Sequence, residues 1–183
     1  SRLSGLAQRA QQQLRKAAET LGGDIPVYVV FTKADSVTFF GDYFSRITDA
    51  EDQQIFGCTL PPAPTPNQFS TDQYTSAETS RLNAALNNLY ISLADKRLRF
   101  LERETDRTRK PAIYEFPREV RRIRSPLVQF LVDVFRPNPL QPNPSLRGFY
   151  FTGTRRVAAP GAVDQAPFGG TGIHKVGEVT HIF

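Results

Sequence analysis

The sequence predicts an α/β domain, and three observations carry this prediction. An N-terminal segment places apolar residues three and four positions apart, which is the spacing of a helix with one buried stripe. The run that follows, residues 27–31, is β-branched and aromatic without polar alternation, as expected of a parallel strand covered on both faces. The 183 residues, 39% apolar and 22% charged, have the balance of one globular domain.

The first helix is predicted over residues 3–21. Gly22 and Gly23 stand where a left-handed C-terminal cap is needed, and Pro26 prevents the helix from continuing. Its apolar stripe, which is expected to face the core, consists of Leu3, Leu6, Ala10, Leu14, Ala17 and Leu21.

In the middle of the chain, the sequence pattern predicts a short helix, a loop, a long helix and a second strand. Residues 39–53 fit the short helix, and the proline-rich run 61–66 fits an extended surface loop. Residues 77–107 predict the long helix, which Lys110-Pro111 is expected to stop. Residues 112–116 then predict a short strand.

The last third begins with Pro117, which is expected to open another helix. A four-proline loop at 137–144 precedes a third predicted strand at 146–152. Residues 153–175 are rich in Gly, Pro, Ala and Thr and predict a linker or insertion, and 176–183 could form one more strand.

Composition and charge exclude several classes of protein. The longest apolar run has five residues, against the roughly 20 of a membrane helix, and the single cysteine, Cys58, excludes an internal disulfide framework. The net charge of +5 is concentrated in residues 96–124, which carry eleven Lys or Arg against five acids. Such a segment suits anionic headgroups, an acidic protein face or simply a solvated surface, whereas its few aromatic residues disfavour nucleic acid.

One motif carries chemistry. Thr32-Lys33-Ala34-Asp35 follows the apolar strand directly, where the ligand crevice of an open α/β sheet lies. It resembles the base-reading motif of P-loop GTPases, in which a carboxylate such as that of Asp35 accepts two parallel hydrogen bonds from guanine and a lysine such as Lys33 packs over the base. The simpler interpretation, that Lys33 and Asp35 only turn and cap the chain, stays open.

Other catalytic and metal signatures are not present in the sequence. The phosphate-binding signature G-x-x-x-x-G-K-[ST] is absent, and residues 170–175 come close to it but place His174 at its second glycine. Residues 115–117 stand where a GTPase would have a second base-contacting loop. His174 and His181 have no compact third ligand for zinc, and Cys58 has no nearby base. We expect no catalysis from this chain by itself.

The order of motifs resembles the cytoplasmic region of the IcmF/TssM family, an inner-membrane component of bacterial type VI secretion systems. The resemblance covers residues 3–154 and rests on four blocks in order, residues 26–35, 57–61, 113–117 and 146–152. It implies a piece of a large membrane protein whose cytoplasmic GTPase-like domain has a helical extension.

The resemblance also implies a fold and a division of the chain. The fold is a partial P-loop-GTPase-like (Rossmann-like) three-layer sheet with a helical extension. Residues 1–152 would be the second half of the cytoplasmic GTPase-like domain. Residues 153–183 depart from the family pattern, and their composition predicts a Gly/Pro-rich insertion or linker with a terminal strand.

Two functions follow from the resemblance. The first is a docking and conformational module between the inner-membrane complex and the baseplate, with a DotU/TssL-type companion as partner, at the cytoplasmic face of the inner membrane. The alternative is a domain that hydrolyses GTP or ATP, with Mg bound in the full-length protein; Thr32, Lys33 and Asp35 would then bind the base. A soluble regulatory GTPase unrelated to secretion is disfavoured by the three later blocks.

The apolar strand leads to one further expectation. A strand of this composition needs neighbours on both edges and helices on both faces, yet only two or three other strands are predicted. We therefore expect that residues upstream of Ser1 supply part of the sheet. The chain alone should show an incomplete sheet with an exposed apolar edge, or pair with a second copy.

Overall fold

The computed structural model describes residues 2–23, 25–62, 71–138, 143–156 and 179–182. Its helices and strands follow one another in the order α1 (Arg2–Leu21), β1 (Pro26–Phe31), α2 (Phe40–Tyr43), α3 (Asp49–Asp52), β2 (Gly57–Thr59), α4 (Thr71–Arg103), α5 (Lys110–Arg122), α6 (Arg124–Val134), β3 (Ser145–Phe151), β4 (Gly153–Arg156) and β5 (Val179–Ile182). A single 3-10 turn, Ala34–Ser36, follows β1.

Helix α1 is confirmed together with its C-terminal cap. Gly22 has the left-handed φ of 74° that such a cap requires, and its N–H donates to the Ala18 carbonyl at 3.0 Å. The helix packs on α6, and the Gln11 side chain donates to the Asp133 carbonyl at 3.1 Å. The predicted apolar stripe is only partly right, because three of its leucines are exposed: Leu3, Leu6 and Leu21.

Within the described residues, the main sheet has three strands in the order β1-β3-β2. β1 and β3 run parallel, with Val29 opposite Phe149 and Phe31 opposite Phe151, and β2 lies antiparallel on the other edge of β3. This parallel pairing agrees with the prediction made for residues 27–31. β1 therefore forms an edge of this sheet, and β3 is its central strand.

The prediction that β1 is covered on both faces is wrong for the described residues. Burial alternates along the strand, and Tyr28 and Val30 remain 53% and 55% exposed. Their neighbours Val29 and Phe31 pack against the core. Among the described residues, the helices pack on the face of the sheet that carries Phe149 and Phe151, and β1 lies at a sheet edge with Tyr28 and Val30 uncovered on the other face.

The prediction of a strand at 112–116 is wrong, because these residues belong to helix α5. Pro111 lies in the first turn of α5, where a missing N–H breaks no helical hydrogen bond, so it begins a helix instead of stopping one. Pro117 lies inside this helix and does not open it. The buried side chains of α5 recur at helical spacing: Ile113, Phe116, Pro117 and Val120.

The other predicted helices are displaced or divided. The long helix α4 begins at Thr71 and ends at Arg103, where the buried Glu104 accepts the Asp106 N–H at 2.8 Å. The short helix predicted at 39–53 is two separate turns, α2 and α3. The aromatic residue that organises this region is Tyr43, whose ring centroid lies 4.9 Å from Phe100 and 4.6 Å from Phe116.

A two-stranded antiparallel sheet follows β3. β4 pairs with β5, with Gly153 opposite Ile182 and Arg156 opposite Val179. The strand predicted at 176–183 is therefore present as β5. Most of the Gly- and Pro-rich segment predicted before it, including the near-signature at 170–175 and His174, lies outside the described residues.

Candidate ligand-binding site at the end of strand β1

Thr32, Lys33 and Asp35 lie together at the carboxyl end of β1, and all three are exposed. Lys33 has φ 61° and ψ 38°, a left-handed conformation that costs a lysine roughly 1 kcal/mol or more. Its carbonyl accepts the Ser36 N–H at 3.0 Å and the Ser36 hydroxyl at 2.7 Å. These bonds hold the chain in a sharp turn after the strand.

The turn after β1 is joined to the turn after β3. The Thr152 N–H donates to the Phe31 carbonyl at 2.9 Å, and the Ala34 N–H donates to the Thr152 carbonyl at 3.0 Å. Asp35 adds a side-chain bond, because its Oδ1 accepts the Thr154 N–H at 3.1 Å. The carboxyl ends of the two parallel strands therefore form one unit.

Gly153 is the residue that permits this approach. A Cβ at this position would lie 2.8 Å from the Asp35 nitrogen and 3.1 Å from its Oδ1. Both distances are shorter than ordinary carbon contacts, so a side chain here would push the two turns apart. Sequence reasoning missed the Thr152–Thr154 segment as part of the site, although the predicted strand at 146–152 ended beside Gly153.

The structure removes residues 115–117 from this site. They lie on helix α5, where Phe116 packs against Phe40 with ring centroids 6.0 Å apart and is fully buried. The suggestion that they stand where a base-contacting loop would be is therefore wrong. The segment that contacts the Asp35 turn follows β3 instead.

The site can accept hydrogen bonds and offer one cation. The second oxygen of Asp35 and the ammonium group of Lys33 are both on exposed residues, which is compatible with a planar polar ligand. In the described part of the chain, no three side chains of His, Cys, Asp or Glu come together in an arrangement that could hold a metal ion.

An apolar hollow adjoins the site on the exposed face of the sheet. It has a volume of about 270 Å³ and is lined by Val30, Ile55, Tyr150, Phe151 and Thr152. Tyr28 and Tyr150 stack beside it with ring centroids 6.2 Å apart, and the Tyr150 hydroxyl bonds the Thr59 hydroxyl at 2.7 Å. The rings are thus held in place although they face solvent.

Gly148 explains how the two tyrosines lie so close to the strand. A Cβ at this position would be 3.0 Å from the Tyr150 hydroxyl and 3.1 Å from Cδ1 of Tyr28. The glycine in the centre of β3 therefore makes room for the aromatic pair.

Cys58 lies on β2, partly buried, and its Sγ contacts the Thr59 carbonyl at 3.4 Å. Burial raises the pKa of the thiol, which lowers the fraction of reactive thiolate. The geometry favours a packed thiol over a nucleophile.

Among the residues that the structure describes, we find no helix with the length and hydropathy that crossing a bilayer requires.

Comparison with known proteins gives two matches. The family described as IcmF-related N-terminal domain matches residues 1–170. The type VI secretion system component TssM1 of Pseudomonas aeruginosa is 33% identical over 159 residues, which cover 84% of this chain and 13% of that protein. The chain thus spans only a small part of the length of this relative. No solved structure matches the chain significantly.

Proposed function

Because this chain belongs to the IcmF/TssM family, we propose that it is a domain of a type VI secretion protein and acts as a docking and conformational module. In this role it lies at the cytoplasmic face of the inner membrane, between the membrane complex and the baseplate. Its partners there are a companion of the DotU/TssL type and baseplate proteins. The proposal is supported by the family match and by the sequence similarity to TssM1 of Pseudomonas aeruginosa, a type VI secretion system component.

The observation that carries the docking role is the face of the sheet that none of the described helices covers. Tyr28, Val30 and Tyr150 form a contiguous apolar surface, continued by Ile55, which is 67% exposed. Aromatic rings fixed by stacking lose little side-chain entropy when a protein surface covers them. A face of this kind is suited to packing against another protein segment.

The alternative function is nucleotide hydrolysis, which the exposed Thr32, Lys33 and Asp35 at the end of a parallel strand favour. One oxygen of Asp35 already accepts the Thr154 N–H, however, so a base would have to share it or rely on the other oxygen. The docking role requires no such sharing. We therefore place GTP or ATP binding, with Mg, second.

The docking proposal is tested in the full-length parent protein by Val30→Lys, which puts a charge on the apolar face while leaving the backbone pairing of β1 intact. Leu21→Lys is the matched control, since Leu21 is 71% exposed but lies at the end of α1, away from the face. We expect Val30→Lys to reduce recovery of the secretion complex on the parent protein and to impair killing of a competitor strain.

Normal assembly and killing with Val30→Lys would overturn the docking role of this face.

The hydrolysis alternative is tested separately by titrating labelled GTP and ATP against the parent protein, with and without Asp35→Asn. Binding that is unaffected by this substitution would remove Asp35 from the base-reading role.

A further inference from the structure

Two arginine–tyrosine stacks join helices α4 and α5. The guanidinium carbon of Arg97 lies 4.1 Å from the ring centroid of Tyr114, and that of Arg121 lies 5.5 Å from the centroid of Tyr90. In each helix the two partners are seven residues apart, so the helices run antiparallel and the stacks lie on one seam. Two turns of helix, about 10.5 Å along the axis, separate them.

The two arginines of this seam have no acidic partner among the described residues. Their neighbours on α5 are already neutralised, because Arg118 pairs with Glu115 at 3.4 Å and Arg122 pairs with Glu119 at 2.5 Å. Arg97 makes one hydrogen bond, from Nη1 to the Tyr114 carbonyl at 3.3 Å. The positive charge of the seam is therefore available to a carboxylate from outside.

Stacking on tyrosine prepares a guanidinium for binding. The ring contacts the flat face of the group, so N–H donors at its edge can pair with a carboxylate. In Arg97 the Nε is buried without a partner and Nη1 bonds the Tyr114 carbonyl, which leaves Nη2 for that pair. The stack also restricts the side chain before binding, which reduces the entropy lost on association. Two such groups at a fixed spacing can recognise two carboxylates at the same spacing.

An apolar strip lies beside the seam. Ile91 and Leu98 are 46% and 63% exposed, and each follows a seam residue of α4 directly in sequence. Successive residues of a helix are about 100° apart around its axis, so this strip runs parallel to the seam on the adjoining surface of α4. Tyr114 is also 52% exposed and adds an aromatic surface.

We propose that the α4–α5 seam binds an acidic amphipathic helix of a protein partner. Carboxylates seven residues apart on that helix pair with Arg97 and Arg121, and its apolar side covers Ile91 and Leu98. This inference rests on the proposed docking function and names one surface and the chemistry of its partner. Charge complementarity and the matching helical repeat together select this kind of ligand.

A lipid surface fits the seam less well. Membrane attraction depends on many free basic side chains, whereas Glu115 and Glu119 are paired with the arginines next to the seam and would face the headgroup phosphates. Arg103, which belongs to the basic segment 96–124, is paired with Glu51 at 2.5 Å.

The test uses the 183-residue chain and two labelled helical peptides of equal composition, built from Ala, Leu and Glu. In one, the glutamates are seven residues apart and lie on one side of the helix; in the other they are five apart and diverge. We expect the chain to prefer the first peptide, and Arg97→Gln with Arg121→Gln to weaken that binding about tenfold.

Two matched variants separate fixed geometry from net charge. Arg118→Gln with Arg122→Gln removes the same charge from arginines that are already paired, and should change binding less than about twofold. Arg97→Lys with Arg121→Lys keeps the charge but removes the planar fork, and should restore only part of the binding. Circular dichroism melting of each variant checks that it is folded.

Equal binding of both peptides, no binding of either, or equal loss in the two glutamine pairs would overturn the proposal. Binding of phosphatidylcholine–phosphatidylglycerol vesicles that depends on Arg97 and Arg121, without peptide binding, would overturn it in favour of a membrane surface. Because the peptide assay involves neither the sheet face nor secretion, its failure leaves the Val30→Lys test of the docking function unaffected.

Discussion

The carboxylate of Asp35 accepts a hydrogen bond from the backbone N–H of Thr154 at 3.1 Å, across 119 positions of sequence. This bond joins the turns at the carboxyl ends of two parallel strands, β1 and β3. It makes Asp35 a structural residue of the site whether or not the site binds a nucleotide. A substitution at Asp35 therefore changes stability as well as any ligand affinity.

Removal of the Asp35 side chain should destabilise the two turns. We expect Asp35→Ala to lower the free energy of unfolding by about 1–3 kcal/mol, because the Thr154 N–H loses its acceptor, and Asp35→Asn to cost less, since its amide oxygen still accepts. Urea unfolding of the chain measures both. Equal stability of Asp35→Ala and the wild type would show that the bond contributes nothing.

Gly57 should tolerate no side chain. A Cβ there would collide with the Phe149 carbonyl oxygen and lie 2.6 Å from the Tyr150 Cα, both backbone atoms of the central strand. We expect Gly57→Ala to lower the free energy of unfolding by about 1–3 kcal/mol. Chemical denaturation followed by circular dichroism measures the change.

Gly5→Ala is the matched control for Gly57. Gly5 lies inside helix α1, and a Cβ there meets nothing within 4 Å. This substitution should stabilise the chain by about 0.5–1 kcal/mol, because alanine loses less backbone entropy than glycine in a helix. Similar losses in both variants would show that the close approach at Gly57 is not the cause.

The phenol hydroxyl of Tyr43 links α2 to α4 by a hydrogen bond. It donates to the Leu93 carbonyl at 2.6 Å, and burial raises its pKa well above the ordinary value of 10.0. Tyr43→Phe keeps the ring contacts and removes this bond, so we expect a loss of about 1 kcal/mol in the free energy of unfolding. Thermal melting measures it, and an unchanged Tm would contradict the assigned role of the hydroxyl.

Stability should fall in acid partly through Glu51. Partial burial acts to raise the pKa of this carboxyl, but hydrogen bonds from Arg103 and Thr48 outweigh it and hold the pKa below its ordinary value of 4.5. A carboxyl with a lowered pKa stabilises the fold above that ordinary value, and the contribution is lost as pH falls through the folded pKa.

Glu51→Gln should therefore reduce the loss of stability measured by urea unfolding between neutral pH and the region below about pH 4.5. Glu102→Gln is the control, because Glu102 is an exposed carboxyl near the end of α4. An acid profile that is the same in Glu51→Gln and the wild type would exclude Glu51 from acid unfolding.

Local sequence patterns predicted the elements whose environment repeats along the chain. Helix α1 was predicted because its apolar spacing and glycine cap are signals within one element, and β1 because five consecutive apolar residues suit a strand. Residues 112–116 were assigned wrongly because a run of five with apolar residues at mixed spacing fits both periods. The packing of Phe116 against Tyr43 and Phe40 of α2 favours the helical conformation of residues 112–116 over a strand.

The sequence likewise predicted only some of the residues of the candidate site. Lys33 and Asp35 follow β1 in sequence, so their place at its carboxyl end could be read directly. Thr154 and Gly153 could not be assigned to it, because their proximity depends on the pairing of β1 with β3. The stacks on Arg97 and Arg121 likewise required the register between α4 and α5, which neither helix specifies by itself.

The sequence by itself determined that this chain contains an amphipathic first helix, an apolar strand that ends in a lysine and an aspartate, and a concentrated basic segment. Only the tertiary structure decided which face of the sheet the described helices leave open and which carboxylate bonds a backbone N–H far along the chain. It also decided which arginines lack an acidic partner within the described residues. The physical reason is the sequence separation of the interacting residues. Periodicity and capping act between residues a few positions apart, whereas the open sheet face, the Asp35 bond and the arginine stacks depend on contacts between residues far apart along the chain.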